Sequence, residues 1–123
     1  MRMWGVSPNM LCREHLLGEH LEMHMFAGSI KKGISMKGYV DNNLLEPRKI
    51  KERHDALAEE MLIRGYKHRS PLVLPDQYVE DLPEYIREYK LRKDDAFIEL
   101  VNRCDNCASR LRMKGRTHNA VNG

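Results

Sequence analysis

Apolar residues recur every three or four positions along most of this chain, the period of an amphipathic helix, while two-residue alternation is scarce. A first helix is predicted over about residues 10–27, opening after Pro8-Asn9 and closing before Gly28. Residues 28–46 read as a loop in which Gly28, Gly33 and Gly38 are interleaved with Lys31, Lys32 and Lys37. A second helix is predicted from Pro47, suited to a first helical position, to Gly65, suited to the position just past the end. Its apolar stripe is Ile50, Leu57, Met61 and part of His54. Residues 70–83 carry three prolines and read as a connection, and the one run of strand formers, Leu72-Val73-Leu74, is closed by Pro71 and Pro75. Helical pattern resumes around Glu84. A third helix over about 94–112 puts Phe97, Leu100, Val101, Cys104, Ala108 and Leu111 on one stripe, with Asp94 as its cap. The pattern predicts an all-α fold: a single domain over residues 1–114 with about three main helices and long connecting loops, then a flexible tail over 115–123.

Composition narrows the class. With 123 residues, 41% of them hydrophobic, the chain can bury a core without a disulfide framework. Its three cysteines are an odd number, and the opening Met1-Arg2-Met3-Trp4 carries no secretion leader, so a reducing compartment is expected. No apolar run approaches the roughly 20 residues of a membrane span. The net charge of +3 is unevenly spread: +3 over residues 1–69, −4 over 70–100 and +4 over 101–123. Two basic stretches around an acidic one suit a face for a polyanion, although ordinary surface variation explains the charges equally well.

The first helix concentrates titratable groups. His15, Glu19, Glu22 and Phe26 share one face, and His20 and His24 form a row beside it. Such a face is either a catalytic surface or a solvated one. His20 and His24 stand at i, i+4, but the Glu that zinc metalloproteases place directly after the first His is absent, and so is a third ligand. Cys104-Asp105-Asn106-Cys107 is half a zinc knuckle without a second pair, and Cys104 fits a core position. The lysines at 31, 32 and 37 lie among glycines and suit either phosphate contact or a solvated loop. Trp4 and Phe26 suit base stacking or the core. Methionine aminopeptidases act before small residues, so Arg2 is expected to leave Met1 in place. A free α-amine titrates near pH 8 and is a competent nucleophile there.

Taken together, Arg2, His15, Leu16, Glu19, Glu22 and Phe26 resemble, in order and spacing, the bacteriophage-type pyrimidine-dimer DNA glycosylase and AP lyase family of the endonuclease V type. The resemblance runs through the basic loop at Lys31–Tyr39, Glu52-Arg53-His54 and Ile63-Arg64-Gly65-Tyr66, and covers about residues 1–68. It implies a DNA repair enzyme in which the terminal α-amine, here that of Met1, attacks C1′ of the damaged nucleotide, displaces the base and forms an imine. Glu22 would be the catalytic carboxylate. Arg2 and His15 would hold phosphate and sugar, and Lys31, Lys32, Lys37, Arg53 and Arg64 would contact DNA. No metal or other cofactor is implied. The expected partner is double-stranded DNA with a damaged or abasic site, met by a monomer in the cytoplasm of a bacterial or phage-infected cell.

Three departures stand out. The family's mature terminus is usually threonine, where this chain has methionine. Two arginines of the family's first helix fall at Leu21 and Met25, with His20 and His24 as partial replacements. The family's aromatic, basic tail has no counterpart, since residues 101–123 contain no aromatic residue. A non-catalytic DNA-binding protein on the same fold, and a glycosylase for another damaged base, remain as alternatives.

Overall fold

Burial of Leu16, Met23, Phe26, Ala27 and Ile30, which share one helical stripe, organises the longest element, α1 (Arg13–Lys31). The computed structural model describes residues 1–68 and 70–112, and among these every regular element is helical. After α1 come α2 (Lys37–Asp41), α3 (Ile50–Ile63), α4 (Asp76–Glu80), α5 (Glu84–Arg87) and α6 (Lys93–Arg103). Residues 105–112 are helical again. The expected flexible tail, 115–123, lies outside the described residues.

α1 lies along α3, and the two form the centre of the core. Both helices stop in the same way. Gly33 (φ +77°) and Gly65 (φ +83°) take the left-handed conformation just past the end. The next amide reaches back a full turn, from Ile34 to Ser29 O at 3.0 Å and from Tyr66 to Met61 O at 2.8 Å. The predicted stop at Gly65 therefore holds, whereas the stop at Gly28 does not. Gly28 sits inside α1, where glycine costs about 1 kcal/mol relative to alanine, and burial of Ala27 and Ile30 carries the helix across it. Lys31 thereby joins the last turn of α1 rather than a loop.

Other expectations shift by smaller amounts. Pro47 opens a 3-10 turn (Pro47–Lys49) that leads into α3. The segment read as a connection contains α4. Leu72-Val73-Leu74 forms no strand; Leu72 and Leu74 bury against the core while Val73 stays exposed. The predicted third helix is broken at Cys104 (φ −122°, ψ 108°), and Arg92 rather than Asp94 occupies the cap position of α6. Asp94 instead lies in the first turn, where its charge complements the helix dipole.

The first six residues cross the core without regular secondary structure. The Met3 amide donates to Leu44 O at 2.7 Å, and Met3, Trp4 and Val6 are buried. Gly5 passes so close to Leu91 that a Cβ there would lie 2.7 Å from its Cδ2, and its φ of +73° already disfavours any other residue. This path delivers the chain's first residue to the flank of α1.

Candidate active site

Segments distant in sequence meet around an open cleft of about 450 Å³, with Leu44 in its wall. The first segment supplies Met1, Arg2 and Trp4, α1 supplies His15 and Glu22, and α6 supplies Glu99 and Arg103. The α-amine of Met1 lies 3.6 Å from Glu22 Oε1, with the two side chains 15% and 27% exposed. At that separation, just beyond hydrogen-bond reach, a carboxylate stabilises a cation at the amine and can exchange a proton with it through one water or after a small approach.

Arg2 is held inside the cleft wall rather than displayed on the surface. Its guanidinium carbon lies 3.8 Å from the centre of the Trp4 ring, and Nη1 donates to Glu99 Oε2 at 2.6 Å. Its Nε and Nη2 are buried with no partner among the described residues. Arg103 approaches the same indole at 5.6 Å. Trp4 is consequently 3% exposed and Phe26 fully buried, so neither is a stacking platform for a base. The His15 ring meets Trp4 edge-on at 5.7 Å.

The remaining residues expected to contact DNA divide sharply. Arg53 is buried: Nε and Nη2 donate to Glu19 at 2.5 and 2.9 Å, and Nη1 donates to Val6 O at 2.5 Å. Arg64 donates to Glu60 at 2.7 Å and to Leu11 O at 2.7 Å, fastening the end of α3 to the entry of α1. Buried Arg53 and half-buried Arg64 thus serve as internal ties in this structure. Lys37 is exposed but pairs with Asp41, whose hydrogen bond raises the lysine's pKa. Lys31 and Lys32 remain exposed at the end of α1, Lys31 donating to Val73 O at 2.7 Å. On the same helix Leu21 and Met25 are 59% and 47% exposed, beside Glu22 in sequence.

His20 and His24 turn toward α3. They meet His54 of α3 and His68, with ring centres 4.6 to 5.2 Å apart. The third ligand missing from the sequence pattern, and a fourth, are therefore near in space. Burial, together with the charges of His54, His68 and His24, brings His20 down to about 4, and burial also lowers His24. A second group joins Cys12 and His15 to Cys104 and Cys107, so the half knuckle does have a second pair. Burial pushes the Cys107 thiol up to about 12.

Sequence reasoning missed Glu99 and Arg103, which face the cleft from a helix read only for its apolar stripe. Their spacing of i, i+4 was the available signal. It also missed the pairing of Glu19 with Arg53, since both sit beside apolar positions that mark a buried stripe.

Compared with models of known families, residues 1–74 match the one described as pyrimidine dimer DNA glycosylase. Glu99, Arg103, Cys104 and Cys107 lie beyond the matched span. No curated protein and no solved structure matches the chain.

Proposed function

Because the chain belongs to the pyrimidine dimer DNA glycosylase family, we propose that it excises a damaged pyrimidine from duplex DNA and then cuts the abasic strand through an imine on the α-amine of Met1. The observation that carries this reading is the approach of that amine to Glu22, 3.6 Å apart at the edge of an open cleft.

The neutral amine attacks C1′ as the glycosidic bond breaks, and the base leaves with the bonding electrons and takes up a proton. Opening of the sugar ring converts the C1′ adduct to a protonated imine. Glu22 stabilises the positive charge that builds at C1′ and accepts the proton that the amine sheds. Loss of a C2′ proton then expels the 3′ phosphate and cuts the strand. His15, which lines the cleft, is suited to sugar and phosphate oxygens once the nucleotide has been flipped in, and buried Arg2 adds positive charge behind it.

The test is covalent trapping. Borohydride should fix the protein to abasic duplex, and an acetylated or otherwise blocked terminal amine should abolish both the adduct and strand cutting. Full cutting with a blocked terminus would falsify the proposed nucleophile, and duplex binding with neither adduct nor excision would leave a non-catalytic DNA-binding protein. The exposed Leu21 and Met25 favour a second reading in which the excised base is not a pyrimidine dimer. A panel of lesion-bearing duplexes separates the two.

A further inference from the structure

We propose that Cys12, His15, Cys104 and Cys107 form a tetrahedral zinc site that fastens the end of the described chain to the start of α1. The ligands come as two short pairs, Cys12-x2-His15 and Cys104-x2-Cys107. Cys12 directly precedes α1, and Cys107 lies in the first turn of the 105–112 helix. Zinc bonds of about 2.3 Å to sulfur and about 2.05 Å to nitrogen, arranged tetrahedrally, set two sulfurs about 3.8 Å apart and a sulfur and a nitrogen about 3.6 Å apart. Cys12 Sγ and Cys104 Sγ are 3.9 Å apart, and His15 Nδ1 lies 3.3 Å from Cys12 Sγ and 3.6 Å from Cys107 Sγ.

All four ligand atoms fall within 4.8 Å of one another, which fits one ion's shell. The sulfurs are free thiols, too far apart for a disulfide bond of about 2.05 Å. Backbone amides already point at them: Cys12 N donates to Cys107 Sγ at 3.2 Å and Cys107 N to Cys104 Sγ at 3.4 Å. Such donors stabilise thiolate ligands. Three thiolates and an imidazole select a soft or borderline ion over magnesium or calcium. The site also accounts for the break at Cys104, where neither glycine nor proline interrupts the helix. Because His15 lines the cleft and α6 ends at this site, the zinc would hold the cleft wall that carries Glu99 and Arg103.

A different observation points to a second ion. The Nε2 atoms of His20, His24 and His68 are buried without a hydrogen-bond partner among the described residues. Buried nitrogens of this kind call for a partner. With His54 they offer four imidazole ligands, no two ligand atoms more than 4.8 Å apart. His54 Nδ1 lies 2.9 Å from the Asp55 carboxylate, the arrangement that orients a ligating imidazole, and its Nε2, 3.1 Å from Ser70 O, would exchange that carbonyl for the ion. We infer that these four histidines hold a divalent transition ion such as zinc in a shell without thiolate.

One titration tests both. The full chain, stripped of metal under reducing conditions, is titrated with Co²⁺ and then with Zn²⁺. Two equivalents of cobalt should bind. One should give thiolate charge-transfer absorption with tetrahedral visible bands, the other visible bands alone, and zinc should bleach both. Cys104→Ser and Cys107→Ser should weaken the charge transfer, while His15→Cys, which keeps a four-ligand shell, should retain it. His24→Asn and His68→Gln should remove only the second equivalent. Absence of charge transfer in the unmodified chain, or its persistence in every cysteine variant, overturns the first site. Binding that stops at one equivalent, or two equivalents untouched by the histidine changes, overturns the second.

Discussion

Glu19 and Glu22 stand three residues apart on one helix, separated by about 60° of rotation, yet they belong to opposite regimes of the molecule. Glu19 is 1% exposed in the seam between α1 and α3, with both oxygens taken by Arg53. Glu22 opens onto the cleft, where the Met1 amine is its one ion-pair partner among the described residues. A carboxylate buried between two helices and bonded at both oxygens by a guanidinium is out of a substrate's reach and serves the packing. A carboxylate with a single partner at 3.6 Å keeps the capacity to accept a proton. Residue type does not separate a structural acid from a candidate catalyst here. The neighbour supplied by another element does.

The largest effect expected from this contrast is on stability. Removing one member of a buried ion pair strands the other charge and costs about 3–5 kcal/mol. Arg53→Met and Glu19→Gln should each lower the unfolding free energy by that order in urea denaturation, while folded protein keeps its affinity for undamaged duplex. A loss below about 1 kcal/mol, together with weakened binding that depends less on salt, would return Arg53 to the DNA face.

Glu22→Gln should do the reverse. Excision should fall by at least about a hundredfold, equivalent to about 2.7 kcal/mol in the barrier, and urea denaturation should move by no more than about 0.5 kcal/mol. Single-turnover cutting of a lesion-bearing duplex measures the first and the denaturation midpoint the second. Unchanged excision by a folded variant would reduce Glu22 to a solvated acid.

The helical period was legible because burying one stripe is a local demand: the apolar residues of α1 and α3 repeat where the fold needs them. Helix ends were half legible. Gly65 and Gly28 look alike in sequence, and only the burial of Ala27 and Ile30 on either side of Gly28 decides that α1 continues to Lys31 and stops at Gly33. The resemblance, not spacing, paired Met1 with Glu22 in one expected role; their 3.6 Å separation came from the fold. What stayed illegible depends on contacts between distant segments. Cys12-x2-His15 and Cys104-x2-Cys107 are each readable as half a site, but no local rule states that the two halves meet. His54 and His68 join His20 and His24 for the same reason, since only the α1–α3 seam and the segment after α3 bring them within reach.

The smallest effect concerns the charges that neither the seam nor the cleft has taken up. Lys31 and Lys32 share the exposed end of α1, and of the basic set expected to contact DNA they are the pair left outside internal ion pairs among the described residues. Lys31 bonds one carbonyl, Val73 O, which leaves two of the three ammonium donors for a phosphate. Each phosphate that a lysine neutralises releases condensed counterions, so replacing both by alanine should flatten the salt dependence of duplex binding by roughly two units. All sequences should weaken alike, because phosphate contacts carry no base information. Unfolding free energy should stay within about 0.5 kcal/mol, as for other exposed positions. Lys37→Ala is the matched control: its ammonium is already paired with Asp41, so it should change the slope by less than either neighbour. A slope moved more by Lys37 than by Lys31 and Lys32 together would shift the DNA-binding face from the end of α1 to α2.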